Sequence, residues 1–362
     1  MKAGLVGFPQ VGKTTIFNLL TGARAETSRY SSSHDKFNVG VARVPDARLD
    51  YLAQQYQRRK TTYATVEYLD IPGVKHGEAK AEAQLAQVRQ ADTLVQVVRA
   101  FRDDEIIHAY ETLDPKRDVA AFEVELILSD LVQVDTRLRR LEKELKVKRS
   151  PELEHEQVVL ELARAHLEKE RPLRELELSE DQRTRIRGFG FLSEKPILTV
   201  VNLGEEDLER LEQVAQDYRL DFVQTRPQSR LTAVCGKIEQ EISQLSREDA
   251  QAFIVDLGLK EFALDRLIHA TYELLGLISF FTIGEDELRA WTIRRGTKAH
   301  QAAGAVHSDM ERGFIRAEVV ANDDYVRYGG MAGAREKGHF RLEGKEYLVQ
   351  DGDIIHYRFN VS

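Results

Sequence analysis

The stretch Gly7-Phe8-Pro9-Gln10-Val11-Gly12-Lys13-Thr14 fits the P-loop pattern G-x-x-x-x-G-K-[ST] at every constrained position. Its flanks agree with the motif. The apolar run Ala3–Val6 before it predicts a strand, and Ile16, Phe17, Leu19 and Leu20 after it predict a helix that Gly22 closes. Each residue type has a physical task there. The glycines let backbone N–H groups curl round phosphate oxygens, Lys13 neutralises the β/γ charge, and the Thr14 hydroxyl is a ligand for Mg²⁺. Residues Gln10, Val11, Gly12, Lys13, Thr14 and Thr15 are therefore the candidate phosphate cradle.

Two shorter motifs follow in the order a phosphate site requires. Asp70 stands at the end of the predicted strand Thr65–Leu69, where an acid supports Mg²⁺, and Asp70-Ile71-Pro72-Gly73 reads as D-x-x-G. The Gly73 N–H is a candidate sensor of a γ-phosphate, which with Lys13 makes up the catalytic assignment. Val74 follows where the Ras-like pattern has a water-orienting Gln. Asn202-Leu203-Gly204-Glu205 follows the buried run Pro196–Val201 and corresponds to the N-K-x-D that reads guanine. Leu203 replaces Lys, and Glu205 is one methylene longer than Asp, so the paired hydrogen bonds that enforce guanine are no longer specified. An Asn capping an acidic helix is the plain structural alternative.

Working outward, short β-branched runs at Ala3–Val6, Asn38–Val44, Thr65–Leu69, Thr93–Val98, Pro196–Val201 and Leu231–Cys235 alternate with helical patterns, as a βαβ sheet requires. Between the fourth and fifth runs, Ile127, Leu131, Val134, Leu138, Leu141 and Leu145 have coiled-coil spacing. Ser150-Pro151 breaks that helix, and Leu160, Ala163 and Leu167 line a second one that folds back on it. Helices are expected around Ile238–Leu245 and Leu264–Leu275, and the glycine-punctuated remainder forms a small α+β module. The expected organisation is a sheet domain over 1–119 and 191–278, a helical hairpin over 120–190, and a terminal domain over 279–362.

Composition sets the class. The 362 residues suit two or three domains at roughly 100–200 residues each, and a net charge of −8 opposes a uniformly cationic surface. One cysteine forms no intrachain disulfide, so the reducing cytoplasm is the default compartment. The apolar run from Leu274 to Phe281 falls short of the about 18 residues that cross a bilayer, so no membrane is expected. The start of the chain leaves no room for a secretory leader before Gly7.

With the three motifs in order, the chain resembles the YchF subfamily of Obg-related P-loop NTPases, over essentially its whole length. Ala290-Trp291-Thr292-Ile293, Gln301-Ala302-Ala303-Gly304, the run Gly313 to Val319 and Gln350-Asp351-Gly352-Asp353-Ile354 carry the resemblance at the C-terminus. It implies an α/β P-loop NTPase (Ras-like) domain, an inserted coiled-coil hairpin and a C-terminal β-grasp (TGS) domain. It also implies ATP preferred over GTP, slow Mg²⁺-dependent hydrolysis and association with ribosomes. A hydrophobic residue replaces the catalytic Gln in that family, as Val74 does here. Asn202, Leu203 and Glu205 are then the base-contacting set. Cys235-Gly236-Lys237 lies where the family's S-A-K base-contacting loop falls, and Cys235 itself reads as a small buried hydrophobe beside the base. Departures are Gln10 for Asn, Thr14 for Ser, Val74-Lys75-His76-Gly77-Glu78 for L-V-x-G-A, and His34 at the switch I threonine, with Ser31, Ser32 and Ser33 alongside.

The stretch 137–149 holds seven Lys and Arg residues against Glu142 and Glu144. This basic stretch and the terminal domain are the candidate contacts to a ribosome or RNA; a solvated coiled-coil face is the alternative for the stretch. Two functions fit: a slow switch that hydrolyses ATP, and a nucleotide-gated ribosome- or RNA-binding module with negligible hydrolysis.

Overall fold

A computed structural model describes residues 1–23, 38–56, 60–73, 81–103, 105, 110, 112–259 and 261–360. Ser31, Ser32, Ser33 and His34, and Val74, Lys75, His76, Gly77 and Glu78, lie outside the described residues. The chain divides into two compact units, Met1–Val41 with Glu67–Leu274, and Ala42–Val66 with Leu275–Ser362.

The first unit is built on a sheet of β1 (Lys2–Val6), β2 (Asn38–Arg43), β4 (Thr65–Asp70), β5 (Thr93–Arg99), β6 (Ile197–Asn202) and β7 (Ser229–Val234), in the order β2-β4-β1-β5-β6-β7. The contiguous pairs from β4 to β7 are all parallel. β5 and β6 are buried at every position, which explains why they read as continuous apolar runs rather than alternating ones. All six strands of this sheet lie where β-branched content placed them, within two residues at each end.

The first hairpin helix starts before position 120. This long helix runs Pro115–Val147, with proline in the first turn and the Asp114 side chain accepting from the Arg117 N–H. The return helix, Pro151–Leu167, again starts on proline. Ile127, Val134, Leu138 and Leu141 pack with Val159, Leu160, Ala163 and Leu167 in one apolar seam, and Leu131 lies partly buried against it. Two polar anchors tie the long helix to the segments that lead into β6 and β7. The buried Asp130 carboxylate accepts from the N–H groups of Leu192 and Ser193 at 2.9 and 2.7 Å, and Glu123 ion-pairs with both Arg174 and Arg226.

The second unit holds the other sheet: β3 (Lys60–Thr62), β8 (Leu277–Ile283), β9 (Glu287–Arg294), β10 (Phe314–Ala321), β11 (Arg341–Glu343) and β12 (Asp353–Phe359), ordered β11-β10-β12-β8-β9-β3. The β8–β9 hairpin, the helix Ala299–Val306 and a central β12 parallel to β8 make it a β-grasp. Its core includes Ile278, Phe280, Ala302, Phe314, Val319 and Ile355. One segment departs from its expected place. Residues 42–66 fall by sequence order in 1–119 but pack in this unit, because β3 pairs in parallel with β9 and Arg48 reaches Asp351 at 2.9 Å. No periodicity announces that pairing, since β3 is three residues long.

Among the described residues, no helix is long and apolar enough to cross a membrane. Leu160 is wholly buried in the hairpin seam, whereas Leu162, two residues on, is 45% exposed. Leu160→Ala is expected to cost about 2–4 kcal/mol in chemical denaturation, and Leu162→Ala to stay within about 0.5 kcal/mol.

Candidate functional site

The loop between β1 and the helix Lys13–Thr21 has the backbone a phosphate cradle needs. Gly7, Gln10 and Gly12 all have positive φ (135°, 61° and 94°), the left-handed backbone by which a loop curls ahead of a helix N-terminus. At Gly7 a Cβ would lie 2.5 Å from the Val97 carbonyl oxygen, so the loop is seated on β5 as closely as a backbone allows.

Lys13 is buried at the start of that helix, and its ammonium donates to the carbonyls of Phe8 at 2.7 Å and Gly7 at 3.3 Å. Loss of water pulls it down to about 8, and the Asp70 carboxylate opposes that fall. The Thr14 hydroxyl donates to Asp70 Oδ2 at 2.9 Å, and Asn38 Nδ2 lies 3.5 Å from the same oxygen. Burial pushes the Asp70 carboxyl up, while Thr14, Lys13 and Asn38 draw it back. β4 ends on Asp70 in register with Leu5 of β1, so the acid and the loop leave adjacent strands side by side. Three residues on, Gly73 lies against the loop: a Cβ there would sit 2.7 Å from Pro9 N. The two motifs thus touch backbone to backbone.

The third motif meets the first through one side chain. Asn202, buried at the end of β6, donates from Nδ2 to the Val11 carbonyl at 3.0 Å and accepts at Oδ1 from the Gly236 N–H at 3.0 Å. It ties the cradle to the start of the helix Gly236–Ile242. Thr15 lies at the same junction, its methyl 3.8 Å from where a Gly236 Cβ would be. Leu203 is buried in the core with Val98, Val201 and Leu211. Glu205 is exposed and ion-paired with Lys237. Cys235 is buried, which pushes its thiol up, and it packs on Ile238, Ile242 and Ile254. One participant escaped sequence reasoning, Asn38, whose register beside Asp70 is tertiary; Lys237 lies in the loop the sequence pointed to, but its partner Glu205, 32 positions away, was not foreseen.

Comparison with known proteins places the chain in a family. A family model described as a 50S ribosome-binding GTPase matches residues 2–129, and one for the C-terminal part of YchF GTPases, described as a protein of unknown function, matches residues 277–360. A Bacillus subtilis protein named ribosome-binding ATPase YchF is 43% identical over 100% of both chains. The chain belongs to the YchF family. An Escherichia coli O157:H7 YchF is 38% identical over 99% of each chain. The solved Schizosaccharomyces pombe YchF GTPase superposes with a TM-score of 0.86 at 32% identity, covering 99% of this chain and 97% of that one. This YchF chain therefore carries a nucleotide-binding P-loop domain and the family's C-terminal β-grasp.

One further group in this YchF site region titrates in an unusual range. Glu239 on the helix Gly236–Ile242 is buried and accepts from the Ala263 N–H at 2.9 Å. Burial raises it to about 7; the backbone N–H groups of Ala263 and Leu264 and the Arg266 guanidinium pull it down, and Asp265 adds to the rise. A carboxyl raised from 4.5 in the unfolded chain stabilises the fold below that value, and the contribution is lost as pH climbs through 7. Thermal or denaturant unfolding is expected to show stability falling by on the order of 2 kcal/mol between pH 5 and 8, and Glu239→Gln to flatten that slope.

Proposed function

We propose that this protein is a Mg²⁺-dependent nucleoside triphosphatase that prefers ATP to GTP and works as a slow switch associated with ribosomes. The observation that carries the reading is the junction of Lys13, Thr14, Asp70 and Gly73, where the two motif loops meet. Lys13 is a buried cation whose charge two carbonyl oxygens only partly offset, so phosphate oxygens supply the counter-charge it lacks.

The donor set suits Mg²⁺. Thr14 and Asp70 present a hydroxyl and a carboxylate oxygen 2.9 Å apart, hard ligands of the kind that hold this ion together with phosphates and water. Bound there, the ion would neutralise charge on the β- and γ-phosphate oxygens. The remaining work belongs to the chain. The cradle N–H groups and Lys13 orient the triphosphate, Asn202 holds the base side against it, and Gly73 offers its N–H to the γ-phosphate. Asn202, Glu205 and Cys235 line the base side. Leu203, lying in the core, supports the base through its backbone position, its N–H bound to the Val234 carbonyl at 2.8 Å. Because Val74 takes the place of the water-orienting Gln, intrinsic turnover is slow and a partner accelerates it.

The ribosome reading rests on the relatives' names and on the hairpin. Arg137 is engaged with Glu144 and Glu156, while Arg139, Arg140, Lys143, Lys146, Lys148 and Arg149 are exposed. That cluster at the hairpin tip suits a phosphate backbone.

Phosphate release with Mg²⁺ is expected to be slow, faster with ribosomes, and absent in Lys13→Ala; tight ATP binding without release under either condition would favour the non-hydrolysing module. Gly73→Ala is expected to weaken triphosphate binding about tenfold or more through its clash with Pro9, while Gly188→Ala, with open space around it, changes nothing. Replacing Arg139, Arg140 and Lys143 together is expected to weaken ribosome sedimentation and reduce its salt dependence. Unchanged sedimentation across salt would return the stretch to a solvated face.

A further inference from the structure

The Cys235-Gly236-Lys237 loop contributes more than a buried cysteine to the base side. β6 and β7 are parallel and in register, Asn202 opposite Val234, so the segments that follow them leave the same edge of the sheet together. The Leu203 N–H bonds the Val234 carbonyl, and the Gly236 N–H bonds Asn202 Oδ1. Those two links fix the spacing between Glu205 and Lys237. The side chains then meet, Lys237 Nζ donating to Glu205 Oε2. Both face solvent, with 67% and 40% of their side chains exposed, at the carboxyl ends of the strands where ligands of open α/β sheets bind.

The chemistry of that pair differs from the chemistry of a lone carboxylate. Guanine presents an acceptor at O6 followed by two donors, N1–H and the N2 amine, and the paired donors call for two accepting oxygens. Adenine presents an acceptor at N1 beside a donor at the N6 amine. A carboxylate paired with an ammonium offers one acceptor beside one donor. We propose that Lys237 is a specificity-determining residue: with Glu205 it forms a donor–acceptor pair that complements adenine N1 and N6 and withholds the carboxylate from guanine. With Lys237 set opposite N1 and Glu205 opposite position 6, guanine would bring its N1–H against the ammonium and its O6 against the carboxylate, a stronger basis for rejection than poor fit. This inference rests on the ATP-preferring reading and deepens it.

The pair is exposed, and isolated surface ion pairs contribute little to folding, so variants at Lys237 keep the fold. The test is equilibrium titration of the full chain, with Mg²⁺, against β,γ-imido analogues of ATP, GTP and 1-deaza-ATP, the last lacking the N1 acceptor. The native protein is expected to prefer the ATP analogue and to bind the 1-deaza analogue about tenfold more weakly. Lys237→Met is expected to lower the ATP-to-GTP affinity ratio about tenfold and to abolish the 1-deaza penalty, while Lys237→Arg retains the preference. A native preference for ATP with an unchanged ratio in Lys237→Met would overturn the role of Lys237 and leave the ATP reading standing. A native protein without ATP preference would overturn that reading and the pair together. Equal binding of ATP and 1-deaza-ATP by the native protein overturns the N1 contact without recourse to any variant.

Discussion

The site depends on the amide of Asn202. Its two hydrogen bonds, one to the P-loop at Val11 and one to Gly236, join parts of the chain 191 and 34 positions from it. Both are made in the buried interior, where an amide left half-satisfied costs more than either bond returns in water. That asymmetry holds the loop before the helix Lys13–Thr21 against the start of the helix Gly236–Ile242. Gly12 follows from the same constraint, because the Asn202 amide fills the space where a Cβ would project.

Around this clasp the molecule distributes charge by burial. Lys13 and Asp70 are both largely desolvated, and each shifts toward its neutral form. They are offset by the carbonyls of Gly7 and Phe8 and by the hydroxyl of Thr14 rather than by a direct ion pair at contact distance. The hairpin root is treated differently. Asp130 and Glu123 are buried too, but each is met by several donors, so the long helix leaves the sheet in one direction.

Much of this was legible in the chain. The six strands of the first sheet were readable because each is a short β-branched run bounded by helix signals, and the hairpin because Ile127 to Leu145 keeps a coiled-coil period. The base side was less so. Leu203 occupies a motif position yet lies in the core, since a strand-end side chain points to whichever layer covers it. Arg137 counts as one of seven cations in sequence, but Glu156 on the return helix takes it up. Residues 42–66 sit in the N-terminal third and pack with the C-terminal unit, because a three-residue strand has too few side chains to show a period.

The sequence by itself determined the P-loop, the order of its companion motifs and the family, because local spacing specifies backbone curvature and the residue types carry the chemistry. Only the tertiary structure decided that Gly73 touches Pro9, that Asn202 spans two loops, and that Glu205 faces Lys237. Each of those pairs is set by strand register and by the absence of a Cβ or the presence of a buried amide, and register is a property of neighbours in space rather than in the chain.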